Sequence, residues 1–260
     1  MIRAFALLGF MFAFCAPCGA ELSPNQLKEV ALNPSPGAAV PLDAEFKSSP
    51  GEQLSLGDAL GGKPAVLILV DFKCRFTCGT ALAVAAAGLS GTGLEAGRDY
   101  NFLVMGIDPK DSLADAGAMK ANYLAPFPAL LAQAKFLNGS AGSIAAVTSA
   151  LGYTPVYDPE RGEFAHPLGV VILTGAGRVS RVIGGLGLDA ALLRTAVLDA
   201  RESRLSALVE GIRLLCYGHA PLSGRYKSAV QALIEAVGVL TLLGIGGTVA
   251  FLARRKGAQS

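Results

Sequence analysis

Pro64-Ala65-Val66-Leu67-Ile68-Leu69-Val70-Asp71-Phe72-Lys73-Cys74-Arg75-Phe76-Thr77-Cys78-Gly79-Thr80-Ala81-Leu82-Ala83 is the stretch that decides the fold. Residues 65–70 are an unbroken run of Ala, Val, Leu and Ile, as a strand covered on both faces requires. Beyond Cys78 the composition turns to Ala and Leu, and a helix is predicted from about 80 to 89. The turn between them carries two cysteines spaced C-x3-C. With Cys74 at or just before the first helical turn, Cys78 lies one turn on, on the same side. The unpaired N–H groups and partial positive charge of a helix N-terminus stabilise a thiolate, the form that binds metal or attacks a disulfide. Two soft sulfur donors on one exposed edge point to a copper site or to a redox pair. The plainer reading, two small buried packing residues, fits a strand-to-helix turn poorly.

The chain around this stretch has 260 residues, enough for one domain with appendages. It is 52% hydrophobic with a mean hydropathy of +0.48, more apolar than a soluble domain needs, so membrane segments should account for the excess. A net charge of +2 gives no electrostatic footprint for nucleic acid. There is no Trp, and only two His limit the choice of metal ligands.

Both ends carry apolar runs. Residues 1–20 place Arg3 before an apolar stretch and end in Pro17-Cys18-Gly19-Ala20, the pattern of a secretory signal peptide cut after Ala20. A lipoprotein site at Cys18 and an uncleaved anchor are the alternatives. Residues 236–253 are uncharged and rich in Val, Leu, Ile, Gly and Ala, near the ~20 residues that span a bilayer. Arg254-Arg255-Lys256 follow, and positive residues stay cytoplasmic, so this helix should run outside to inside. The expected order is a signal peptide (1–20), an extended lead-in (21–48), a folded domain (49–202), a juxtamembrane helical segment (203–235), a transmembrane helix (236–253) and a cytoplasmic tail (254–260). The folded body then stands on the periplasmic side of a bacterial inner membrane.

Within the body, residues 53–56 read as a short strand and 58–62 as a loop. Residues 101–107 form a second buried strand. Asp108 to Ser112 is a turn that caps a helix through about Tyr123, with Asp108 and Asp111 as capping residues. A weaker strand at 132–137, a helix started by Gly139-Ser140-Ala141-Gly142-Ser143 and ending near Gly152, and an extended piece at 156–157 follow. Residues 168–173 make a clear apolar strand, Gly175-Ala176-Gly177 a tight turn, and residues 178–183 its hairpin partner. A closing helix is predicted over 189–208. Alternating strands and helices, then a hairpin and a last helix, imply a mixed sheet with helices on both faces. With two cysteines after an early strand, the thioredoxin-like α/β fold is the best match.

His166 stands just before the strand at 168–173, and the loop entering that strand lies beside the cysteine turn in such a sheet. Cys74 and Cys78 as thiolates with the His166 imidazole make a three-ligand set suited to Cu(I), and to Cu(II) with a further weak ligand. A structural zinc site would need a fourth protein ligand, and none is evident. Asp71 reads as a solvated strand end or as a group that orients a ligand or accepts a proton. Cys216 leaves an odd cysteine count in the mature chain, as a thiol or an inter-chain pair. Cys216 and His219 read as juxtamembrane packing residues, with a second metal or partner contact as the alternative.

At this point the chain resembles the Sco/SenC copper chaperones over roughly residues 49–198. The matches are the strand into C-x3-C, the segment Gly106-Ile107-Asp108-Pro109-Lys110-Asp111-Ser112, and a late histidine before a strand followed by a glycine-turn hairpin. The run from Tyr157 to Pro167, the Cys216-Tyr217-Gly218-His219 stretch and the C-terminal apolar segment are similar to a bacterial branch of that family. In the family's commonest motif Pro follows the second cysteine; here Gly79 does. The resemblance implies a thioredoxin-like fold and copper held by Cys74, Cys78 and His166. It also implies delivery of copper to, or reduction of cysteines in, the binuclear copper site of a haem–copper oxidase subunit. Other periplasmic copper carriers and thioredoxin-like reductants are the further partners.

Two functions are therefore expected to compete. The first is a membrane-anchored copper metallochaperone without small-molecule turnover. The second is a thiol-disulfide oxidoreductase in which Cys74 attacks a partner disulfide and Cys78 resolves it. A peroxiredoxin-like peroxidase acting through Cys74 is a third.

Overall fold

The computed structural model describes residues 22–48, 51–74, 77–160, 162–185, 187–205, 209–210, 215–216 and 236–248. The chain opens with α1 (Pro24–Glu29), started by a reciprocal capping box between Ser23 and Gln26. β1 (Ala31–Leu32), β2 (Glu45–Ser48) and β3 (Glu52–Ser55) follow. Next come α2 (Leu56–Leu60), β4 (Ala65–Val70) and α3 (Cys78–Ser90). Then β5 (Asn101–Gly106), α4 (Leu113–Leu124), α5 (Pro128–Gln133) and β6 (Lys135–Gly139) alternate. The rest is α6 (Ala141–Ala150), β7 (Tyr153–Thr154), β8 (Val156–Asp158), β9 (Glu163–Pro167), β10 (Gly169–Leu173), β11 (Val179–Gly184) and α7 (Ala190–Arg201). Two short strands, β12 (Val209–Glu210) and β13 (Leu215–Cys216), follow, and a helix at 236–248 comes after them.

The main sheet has the order β12-β11-β10-β4-β5-β6-β2-β3. β4, β5 and β6 run parallel, and β10 lies antiparallel against the other edge of β4. β4 is the centre of the sheet, which is why its sequence is apolar at every position: all six of its residues are buried. Its side chains alternate between two cores. Val66, Ile68 and Val70 face a core built with α3, α4 and α7, including Leu82, Leu89, Met119, Leu193 and Val197. Ala65, Leu67 and Leu69 face a second core with Leu56 and Leu60 of α2, and Val147 of α6. Each such aliphatic side chain contributes roughly 1.5–3 kcal/mol on burial. This is a mixed sheet flanked by helices, as the sequence predicts.

Several elements differ from the sequence reading. Residues 58–62 are not all loop, because Ser55 and Asp58 form a capping box that starts α2, and Gly61 ends it at φ 54°. The lead-in holds α1 and the strand β2, which fills the sheet between β3 and β6. α7 stops at Arg201, and the described residues of 203–235 that carry secondary structure are the strand pairs β12 and β13, where helix is predicted. The expected signal peptide lies outside the described residues. Residues 236–248 form a helix with every position exposed, Leu240 and Leu243 at 69%. No helix among the described residues is long and apolar enough to cross a membrane, and the expected span runs on through 249–253 outside them.

Candidate functional site

The site grows from the C-terminal end of β4. Past Val70 the chain leaves the sheet through Asp71, Phe72 and Lys73, each fixed by a different bond. The Phe72 amide donates to Asp111 Oδ2 at 3.0 Å, and its ring covers Gly106 at the end of β5, where a Cβ would stand 2.6 Å from it. The Lys73 amide donates to Asp71 Oδ1 at 2.9 Å, and its ammonium pairs with Asp111 Oδ1 at 3.2 Å. The Cys74 amide donates to the Asp71 carbonyl at 3.1 Å, closing the turn. Asp111 thus clamps the approach to the cysteines from the loop after β5. It does not cap α4: Ser112 does, in a capping box with Asp115.

Cys78 is the first residue of α3 and is fully buried, whereas Cys74 is partly exposed at the edge of the first core. The Cys78 Sγ lies 3.1 Å from Nε2 of His166. His166 is reached by a different route from the one expected. It sits within β9 and not in a loop, in a small sheet of order β13-β9-β8, and its side chain is 0% exposed. The two donors, distant in sequence, meet because β8 and β9 fold a hairpin over the cysteine turn before the chain enters β10.

The imidazole is held in one protonation state. The Pro167 carbonyl lies 3.1 Å from Nδ1 and only accepts, so Nδ1 carries the hydrogen. That leaves the Nε2 lone pair facing Cys78, accepting from its thiol or free to bind a metal. Burial pushes the His166 pKa below its ordinary value and keeps the ring neutral, with the Pro167 carbonyl and the nearby Cys74 charge acting in the opposite sense. The Tyr153 ring flanks it, with centroids 6.4 Å apart.

Asp71 is not a solvated strand end: it is 5% exposed. Burial, with Asp111, Cys74 and Asp108 nearby, pushes its carboxyl up to about 6, against the Lys73 amide that favours the charge. Gly79 is required by packing. A Cβ there would lie 1.9 Å from Cζ of Tyr123, whose ring rests on the first turn of α3. Any side chain after Cys78, proline included, therefore requires the Tyr123 ring to move.

Among the residues expected to act, Cys78 and His166 are in contact, and Cys74 stands where its charge acts on both His166 and Asp71. Among the described residues no three His, Cys, Asp or Glu side chains are gathered into a finished metal cage. What the fold presets is a buried thiol–imidazole pair with a second, reachable thiol beside it. The donor set, two sulfurs and a neutral nitrogen, fits a soft cation such as Cu(I) better than a hard one. Sequence reasoning missed the Asp111 clamp and the Tyr123 cover. The first had a signal in the segment Asp108 to Ser112; the second had none.

No protein-family model matches this sequence, and no curated protein matches it. Solved structures do share its fold. An electron transfer protein of Aquifex aeolicus VF5 superposes with a TM-score of 0.58 at 22% identity, over 65% of this chain and 95% of its own. ScoI of Arabidopsis thaliana, solved with copper bound, gives 0.51 at 17% identity, over 65% and 99%. BsSco, a Sco-family cytochrome c oxidase assembly protein with a disulfide switch, gives 0.51 at 20% identity, over 64% and 96%. At these identities the likeness is one of fold, and it is the thioredoxin-like fold expected from the strand, turn and helix around Cys74.

Proposed function

We propose that this chain is a membrane-anchored copper metallochaperone of the Sco/SenC type. One observation carries the reading: a buried thiol and a buried, neutral imidazole 3.1 Å apart beside a second, reachable thiol. The copper-bound ScoI and the assembly protein BsSco, which share the fold, support the choice of metal and of process. Copper here is cargo. Cys74 and Cys78 lose their protons to bind it, and His166 offers Nε2 without having to lose one. The partly exposed Cys74 is the ligand that exchanges first when a partner's ligands approach. That partner is the copper-site subunit of a haem–copper oxidase, and other periplasmic copper carriers would supply the ion. The exposed apolar helix at 236–248, followed by Arg254-Arg255-Lys256, supports anchoring with the folded body outside the inner membrane. The test is titration of the purified protein with Cu(I). Near-stoichiometric binding is expected, and His166→Ala should weaken it by about tenfold or more.

A second reading has its own support. Cys74 is partly exposed in the turn four residues before Cys78, which is buried as the first residue of α3, the arrangement of an attacking and a resolving thiol. This chain would then reduce the cysteines of the same oxidase site, with a thioredoxin-like reductant restoring the dithiol. Unchanged copper affinity in His166→Ala, with disulfide reduction intact, would favour it over the first.

A further inference from the structure

The rim of the site beside Cys74 carries a lysine seated on an exposed aromatic ring. Lys73, the residue before Cys74, has a half-exposed side chain, but its ammonium is engaged by Asp111 at 3.2 Å and Asp115 at 3.8 Å. It also donates to the Lys110 carbonyl at 3.1 Å, which ties Lys110 to the cysteine turn. Lys110 is exposed, and among the described residues no carboxylate pairs with its ammonium; Asp108 accepts from its backbone amide instead. That ammonium lies over the Tyr157 ring, 5.8 Å from the centroid. Tyr157 is 43% exposed, the most exposed large apolar side chain among the described residues of 22–205. Its ring meets Phe164 directly across β8 and β9, with centroids 5.0 Å apart, and Phe164 stands two residues before His166 on the same side of β9. Lys73, Lys110, Tyr157 and Phe164 thus form a continuous border from the cysteine turn to the strand of His166.

Tyrosine is over-represented where binding energy concentrates, and a cation over its face adds to its hold on that ring. The unpaired Lys110 ammonium, with Arg75 following Cys74 in the sequence, selects the charge of the occupant. We propose that this border docks an acidic segment of the partner protein whose sulfur exchanges at Cys74. The proposal rests on that exchange, which both readings above share. A partner carboxylate pairs with Lys110 while a neighbouring side chain covers Tyr157, so the incoming sulfur is presented to the partly exposed Cys74 and not to the buried Cys78.

The test uses the full chain in detergent, reduced, metal-free and without oxygen. The probes are two synthetic peptides, identical except that the glutamates of one are lysines in the other, each carrying its single cysteine as a pyridyl disulfide. The Cys74 thiolate attacks the peptide sulfur, one S–S bond forms as another breaks, and pyridinethione leaves, so its absorbance reads the rate. The part of the rate lost in Cys74→Ser belongs to Cys74. The glutamate peptide is expected to react about tenfold faster than the lysine peptide at low salt, with the ratio shrinking as salt is raised. Lys110→Glu should cut that ratio by about threefold or more and leave the rate with neutral dipyridyl disulfide unchanged. Equal rates for the two peptides, or a ratio that Lys110→Glu leaves intact, overturn the proposal and leave exchange at Cys74 standing. Equal rates in a chain that sediments as a dimer, which Lys110→Glu breaks, overturn it in favour of a second copy as occupant. No reaction of Cys74 with the peptides or with dipyridyl disulfide overturns both the proposal and the exchange it rests on. Should Lys110→Glu not fold, Lys110→Gln replaces it, with a cut of about twofold expected.

Discussion

At the scale of single residues, protonation decides what the site can do. His166 is neutral because it is buried and its Nδ1 hydrogen is spoken for by the Pro167 carbonyl. Asp71 shows the cost of burial in the opposite group. A carboxyl raised to about 6 in the folded chain, against about 3.9 unfolded, binds more protons folded than unfolded between those values. Its charge therefore opposes folding above about pH 6, and the penalty fades as pH falls toward 4. Asp71→Asn, which keeps an acceptor for the Lys73 amide, should raise the stability of the metal-free protein at pH 7 by on the order of 2–3 kcal/mol. It should change little at pH 4, and denaturant unfolding at the two pH values checks this. His166 was legible in the sequence as the one imidazole in the body of the chain. The burial of Asp71 was not, because it depends on Asp111 and on the cysteine turn folding back together.

At the scale of elements, two contacts hold the cysteine turn, and each can be broken singly. Asp111 ties the loop after β5 to the Phe72 amide and the Lys73 ammonium. Asp111→Ala leaves the Phe72 amide without its acceptor and should lower stability by about 1–3 kcal/mol. It should also weaken copper binding, read by the same Cu(I) titration. Gly79→Ala drives a methyl group into the Tyr123 ring. Alanine's better helix propensity favours the substitution by about 1 kcal/mol, but overpacking costs about 1–3 kcal/mol and a 1.9 Å approach lies at the severe end. A net loss of stability on thermal unfolding is expected, relieved when Tyr123→Ala is combined with it. The strand at 65–70 and the helix after it were legible because their composition is unambiguous. The short α2 was not, because its Ser55–Asp58 capping box lies in a stretch too brief for any apolar period.

At the scale of the whole molecule, the candidate site comes from a hairpin laid over a sheet. The main sheet sets Cys74 and Cys78 at the end of its central strand, and a separate small sheet delivers His166. The sequence placed the histidine near the right strand but could not show that it belongs to a strand of its own, since Glu163 to Pro167 has no alternating apolar pattern. The 236–248 helix belongs to a second unit and exposes Val237, Leu240, Leu243 and Ile245. If it anchors the chain, removing residues 236–260 should move the protein from the membrane fraction to the soluble one. Carbonate-washed membranes of cells expressing either form would show it.

On the metallochaperone reading, one buried imidazole and two thiols hold a single copper ion. Copper K-edge X-ray absorption on the Cu(I)-loaded full chain tests it most directly. Sulfur scatterers are expected together with the outer-shell signature of one imidazole, and that signature should be lost in His166→Ala. A spectrum of sulfur alone in the unsubstituted protein, identical to that of His166→Ala, would contradict it.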